Sequence, residues 1–147
     1  MTQHRRVLVI DDDPSVRHML GGALRQRSLV ADEAEDGAAA ISLLNEHRYA
    51  VVLLDLLMPN VDGFGVLDAM KNDVNPPIVL VISGADRRVI DQVDSHRIHG
   101  IIRKPFDPVE IAEVVGACAE IRERSAFETM AVATVMAGAP FIALLKL

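Results

Sequence analysis

The chain has 147 residues, enough for one domain with a substantial core and too few for two full ones. Half of it is apolar, 3% is aromatic, and the formal net charge is −6 with no Lys/Arg block. That balance disfavours nucleic acid as a direct partner and base stacking as a way of working.

The opening "MTQHRR" is a charged lead-in too polar for a secretory signal, so the cytoplasm is the expected address. Apolar segments of strand length then alternate with segments of helical period. A first strand is expected over Arg6–Ile10, followed at once by Asp11, Asp12 and Asp13. Pro14–Arg27 carries Val16, Met19, Leu20 and Leu24 at helical spacing, with Asp13 as N-cap and Pro14 in the first turn. Strand Leu29–Glu33 leads through the acidic turn at Asp36 into a helix over Gly37–His47. Strand Tyr49–Leu54 is apolar on both faces and ends on Asp55. "PNVDG" from Pro59 is a turn, with Asp62 and Gly63 opening a helix to Lys71. "NPP" at Asn75 precedes strand Ile78–Ile82, which ends in Ser83 and Gly84, and a helix is expected over Asp86–Arg97. The last strand, Gly100–Ile102, ends at Lys104 and Pro105. A helix over Pro108–Arg124 follows, with Ile111, Val114 and Val115 on one stripe. Cys118 lies among alanines and valines and reads as a small core residue; as the single cysteine it excludes an internal disulfide and any CxxC motif.

Strands apolar on both faces belong to a parallel sheet covered by helices on each side. The fold expected is α/β, a doubly wound five-stranded parallel sheet whose ligands bind at the carboxyl ends of the strands. Four of the five strands deliver polar residues to that edge: Asp11–Asp13, Asp55, Ser83 and Lys104.

The chemistry starts from Asp55, because an unpaired carboxylate at the end of an apolar run is costly. Clustered carboxylates repel unless something cationic lies among them. A hard divalent cation, Mg²⁺, suits such a set, since it binds through one or two carboxylates and keeps waters. Lys104 adds a second positive charge and Ser83 a hydroxyl, both able to meet a phosphoryl oxygen. This is equipment for phosphoryl transfer, and an aspartate can itself take the phosphoryl group. Asp55, alone at its strand end, is the candidate acceptor.

The stretches "VLVIDDDPSVR" (Val7–Arg17), "LLDLLMPNVDG" (Leu53–Gly63), "VISG" (Val81–Gly84) and "RKPF" (Arg103–Phe106) resemble the receiver domains of two-component response regulators. The resemblance covers about residues 5 to 124 and rests on the order and spacing of the motifs, each weak alone. It implies a flavodoxin-like receiver that accepts a phosphoryl group on Asp55 from a sensor histidine kinase or a phosphotransfer protein. It implies Mg²⁺ on Asp11, Asp12, Asp55 and the backbone carbonyl of Leu57, a switch hydroxyl at Ser83, and Lys104 followed by a cis peptide to Pro105. It also implies a signalling module rather than a turnover enzyme. Asp13 stands where the family more often has Glu. Ile101 stands where the family usually has an aromatic switch, so read-out must run through Ser83, the backbone of Asp86–Arg97 or another route. The downstream effector is not legible.

Plainer readings compete at several positions. His96 and His99 are spaced i, i+3 without a third ligand and fit a surface helix end. His4, His18 and His47 are isolated, and Arg87-Arg88 fit a solvated pair as well as a partner face. A haloacid-dehalogenase-type phosphatase would use the first strand's acid and leave Asp55 unexplained. A pseudo-receiver, acting as an unphosphorylated binding module, would account for Ile101.

Residues 125–147, "SAFETMAVATVMAGAPFIALLKL", lie outside the resemblance, so a receiver over 1–124 and an apolar extension are expected. Nothing between Glu128 and Lys146 is charged, yet the run falls short of the about 20 apolar residues a membrane span needs and is broken by Gly138 and Pro140. The expectation is a helix over Ala126–Ala137, a turn at Gly138–Pro140 and a short arm. Such a patch should be covered by the receiver, a partner or a second copy, with a homodimer favoured.

Overall fold

Three strands carry almost no polar residue on either face, and the chain places all three in the middle of one sheet. In the computed structural model, which describes residues 5–136, the strands are β1 (Arg6–Ile10), β2 (Val30–Ala34), β3 (Val51–Leu54), β4 (Ile78–Ser83) and β5 (Gly100–Arg103). All pairings are parallel, in the order β2-β1-β3-β4-β5. The central strands β1, β3 and β4 are buried nearly end to end, whereas the edge strands "VADEA" and "GIIR" alternate or expose their polar positions. Polarity thus decides which strands are edges.

The helices are α1 (Pro14–Gln26), α2 (Gly37–Glu46), α3 (Gly63–Ala69), α4 (Arg87–Ile90) and α5 (Pro108–Met136). Successive residues of β3 enter opposite cores, as the two-residue period of a strand requires. Val51 and Leu53 join Val7, Val9, Leu20, Leu24, Ile111 and Val115 beneath α1 and α5. Val52 and Leu54 join Leu8, Ile10, Ala40, Val66 and Leu67 beneath α2 and α3. Cys118 is a free, half-buried thiol packed against the first of these cores.

Three helices depart from expectation. α3 stops at Ala69 rather than Lys71. α4 is a single turn, Arg87–Ile90, instead of a helix to Arg97. Asp94 accepts from the His96 amide at 3.0 Å, a local turn that competes with the helical ladder. Val93 and Ile98 still pack into the core, but five residues apart they cannot share a helix face. His96 and His99 therefore do not end a helix; the His99 ring accepts from the Val79 amide at 3.0 Å. α5 passes Arg124 without a break, so the separate helix expected over Ala126–Ala137 is its continuation as far as Met136. No glycine or proline lies between Gly116 and Met136 to interrupt it. Ala137, the Gly138–Pro140 turn and the arm to Leu147 lie outside the described residues.

α5 is about 43 Å long at 1.5 Å per residue, yet among its described side chains the buried ones, Ile111, Ala112, Val115 and Ala119, all fall in its first twelve residues. Further along, Arg122 donates to Asn75 Oδ1 and to the Pro76 carbonyl (2.6 Å). Beyond it Phe127 and Met130 are exposed.

Gly63 shows how tightly the loop after β3 is folded. Its amide donates to the Leu56 carbonyl at 3.0 Å, and a Cβ there would lie 2.5 Å from the Asp55 carbonyl oxygen and 2.7 Å from Leu56 Cα. These are backbone atoms, which cannot yield cheaply. Gly63→Ala is expected to lower stability by about 1–3 kcal/mol, read as a lower midpoint of urea unfolding.

Candidate functional site

The site is assembled by strand register. Ile10 on β1 is paired with Leu54 on β3, so the next residues, Asp11 and Asp55, emerge side by side. The Asp55 amide donates back to the Ile10 carbonyl at 2.9 Å, and the Asp11 amide to the Ala34 carbonyl of β2 at 3.2 Å. On the other flank Ser83 is paired with Arg103, which places Lys104 one residue beyond the end of β5. β1 is where the chain's direction across the sheet reverses, the usual place for a ligand crevice in a doubly wound fold.

Asp11 and Asp55 are both buried, at 2% and 6% exposure. Lys104 Nζ lies 2.7 Å from Asp11 Oδ2 and 3.4 Å from Asp55 Oδ2, bridging them. The other oxygen of Asp11 accepts from the Asp13 amide at 2.9 Å, and that of Asp55 from the Leu57 amide at 3.2 Å. Asp12 is exposed, but one carboxylate oxygen each from Asp11, Asp12 and Asp55 lie within 4.8 Å of one another. Among the described residues this is the one group of three or more acidic, histidine or cysteine side chains placed to hold a metal. Three carboxylates against one ammonium leave two formal negative charges, and every donor is a hard oxygen. The set fits a hard divalent cation.

Burial pushes the Asp55 carboxyl above the usual aspartate value; Lys104 pulls it down, Asp11 pushes it up, and burial prevails. Burial opposes the Lys104 charge, but the hydrogen bond to Asp11 and the attraction of both carboxylates outweigh it and hold the ammonium above its usual value.

Asp13 stays outside the cluster and caps α1, accepting from the Ser15 amide at 2.8 Å. Asp62 likewise caps α3, accepting from the Gly65 amide at 3.1 Å. Ser83 is 1% exposed, its hydroxyl oxygen accepting from the Ala85 amide at 3.0 Å and its carbonyl from the Lys104 amide at 3.2 Å. The Lys104–Pro105 peptide is cis. Leu57 reaches the site through its backbone, with its side chain exposed. Ile101 is an exposed aliphatic side chain on β5. Two arginines at the site escaped the sequence reading: Arg103, which donates to the Ala85 carbonyl at 3.3 Å, and Arg17, which donates to the Asp11 carbonyl at 2.7 Å. Arg17 follows the Asp13 cap by four residues, so its position on the helix face above the loop was the available signal.

A carboxylate with a raised folded-state pKa favours the fold when protonated, and that contribution is lost as pH rises from the ordinary aspartate value through the raised one. Asp55→Asn is therefore expected to raise the thermal midpoint at neutral pH without divalent cation. The gain should shrink on acidification, where wild-type Asp55 is itself neutral. Scanning calorimetry from neutral to acidic pH would check the sign.

The sequence matches the family described as "Response regulator receiver domain" over residues 7–116. It is similar to a probable transcriptional regulator, ycf27, of Guillardia theta, at 29% identity over 84% of this chain and 49% of the relative. It is also similar to the DNA-binding response regulator MtrA of Mycolicibacterium smegmatis, at 30% identity over 95% of this chain and 61% of the relative. The chain thus spans about half to three-fifths of these curated relatives. The fold is shared with the response regulator TrrA of Thermotoga maritima, solved in complex with Mg²⁺–BeF, with a TM-score of 0.68 at 24% identity over 78% of this chain and 98% of that one. With its sheet order and its acid–lysine edge, the chain belongs to the response regulator receiver domains of two-component systems.

Proposed function

We propose that this receiver takes a phosphoryl group onto Asp55 from a sensor histidine kinase or a phosphotransfer protein, with Mg²⁺ as cofactor. The observation that carries the reading is the buried Asp55 carboxylate, joined to Asp11 through Lys104 in a cluster two positive charges short of neutrality. Asp11, Asp12, Asp55 and the Leu57 carbonyl would hold the cation, in keeping with a fold neighbour solved with Mg²⁺–BeF. When bound, the cation neutralises charge on the phosphoryl oxygens.

The chain's own residues do the rest. An Asp55 carboxylate oxygen bonds to phosphorus as the donor's P–N bond breaks, and the leaving imidazole takes up a proton. Lys104 works against the rise that burial imposes on the Asp55 carboxyl, and can then pair with a phosphoryl oxygen. Ser83 accepts through its oxygen and retains its proton to donate. With Ile101 on β5, read-out passes through the Ser83–Ala85 loop and its bond to Arg103. Two matched relatives are named as transcriptional or DNA-binding regulators, and we assign any DNA contact to regions beyond the match rather than to this acidic receiver.

Incubation with acetyl phosphate should add one phosphoryl mass to the wild type when Mg²⁺ is present. Asp55→Asn should remain unlabelled, Asp12→Ala should lose the Mg²⁺-dependent labelling, and Asp13→Ala should keep it. Equal labelling of the Asp55 variant, read by intact mass, would overturn the assignment. Repeated turnover of a small phosphate ester would instead favour a phosphatase.

Residues 1–124 form the receiver unit in this reading, and 125–147 the extension. The exposed Ile121, Phe127 and Met130 on α5 support a second copy of the chain as its cover. Light scattering should then find a dimer for the whole chain and a monomer for a truncation ending at Arg124; two monomers would exclude this interface. No helix among the described residues is long and apolar enough to cross a membrane.

A further inference from the structure

Asp12 is the one member of the acidic cluster that the fold does not hold by its side chain. Asp11 and Asp55 each accept a backbone amide and face Lys104, whereas no hydrogen bond or ion pair within the described residues reaches the exposed Asp12 carboxylate. Its direction depends on the two peptide planes that flank it. The plane after it is fixed by the Asp13 amide, which donates to Asp11 Oδ1 at 2.9 Å. The plane before it is fixed by Arg17, whose Nη1 donates to the Asp11 carbonyl oxygen at 2.7 Å.

The arginine is itself held in place. Its side chain is 14% exposed, and its Nε lies 3.9 Å from Glu33 Oε2 on β2. The other Glu33 oxygen lies 3.2 Å from Arg25 Nη2, so α1 and β2 are tied together behind the loop. A guanidinium readily pairs with carboxylates, yet no ion pair joins Arg17 to Asp11, Asp12 or Asp55. Here its ion-pair partner is Glu33, and its site-facing donor goes to a carbonyl. What it supplies to the site is orientation.

We propose that Arg17, backed by Glu33, is a positioning residue that aims the Asp12 carboxylate into the cluster shared with Asp11 and Asp55. The inference rests on the divalent-cation reading above and concerns a residue that reading does not use. Its consequences have a distinctive sign. A nearby positive charge repels a metal ion, so losing Arg17 as a mere charge would tighten binding. Losing a group that orients a ligand weakens binding, by about 10- to 100-fold for supporting partners of metal ligands.

The test uses the whole chain and Mn²⁺ as probe, with affinity read by electron paramagnetic resonance. Arg17→Met keeps most of the stem packing and should weaken Mn²⁺ binding by about tenfold or more. Arg17→Lys keeps the charge without the planar fork, and should fail to restore it. In metal-free protein the Asp13 amide should shift and exchange faster in both variants by NMR, while the Asp55 amide, bonded to Ile10, stays unchanged. Should Arg17→Met fail to fold, Arg17→Lys alone carries the comparison. An unaltered Asp13 amide, or Mn²⁺ held as tightly as by the wild type, overturns the role. Absence of Mn²⁺ binding by the wild type overturns the metal reading itself, and is seen before any variant is made.

Discussion

Two carboxylates taken out of water at the ends of neighbouring strands are the constraint on which the rest of this structure turns. The Ile10–Leu54 register makes Asp11 and Asp55 adjacent, and neither has room to turn away into solvent. Such a pair is stable when a cation lies between them. Lys104 supplies it from just beyond the end of β5, its ammonium reaching across the end of β4 to both carboxylates.

That bridge is incomplete by design of its charges. With Lys104 engaged and Asp12 at the rim, the cluster keeps two negative charges facing outward, and burial still holds Asp55 above its usual pKa. A site built in this way is stabilised by whatever positive charge arrives. Stability and chemistry therefore draw on one cluster.

The rest of the fold holds this edge still. Three central strands with apolar side chains on both faces lock the register from which Asp11, Asp55 and Ser83 hang. Caps at Asp13, Asp36, Asp62 and Asp86 start the first four helices at the same edge. The opposite edge is tied by polar groups instead. Tyr49 donates to Asp32 Oδ2 at 2.7 Å, and Arg6 Nε lies 3.1 Å from the same oxygen. Burial first, and then that bond, lift the Tyr49 hydroxyl well above the usual tyrosine range.

The parallel sheet, the burial of its strands at Tyr49–Leu54 and Ile78–Ile82, and the candidate acceptor Asp55 were legible in the sequence, whereas the order of the strands was not. Each legible feature follows from local pattern: runs such as "VVLL" state their burial, and an acid closing such a run states that a partner exists. The extents of α4 and α5 were not legible. Asp94 can support a helix or a turn, and the tertiary packing of Val93 and Ile98 decides for the turn. Arg124 reads as a helix end by charge, yet a helix continues wherever its hydrogen-bond ladder is unbroken. Nor could composition reveal that Arg17 would donate to the Asp11 carbonyl. That choice depends on Glu33, sixteen residues away in the chain and beside it only in the folded sheet, because an ion pair is settled by distance in space and not along the sequence.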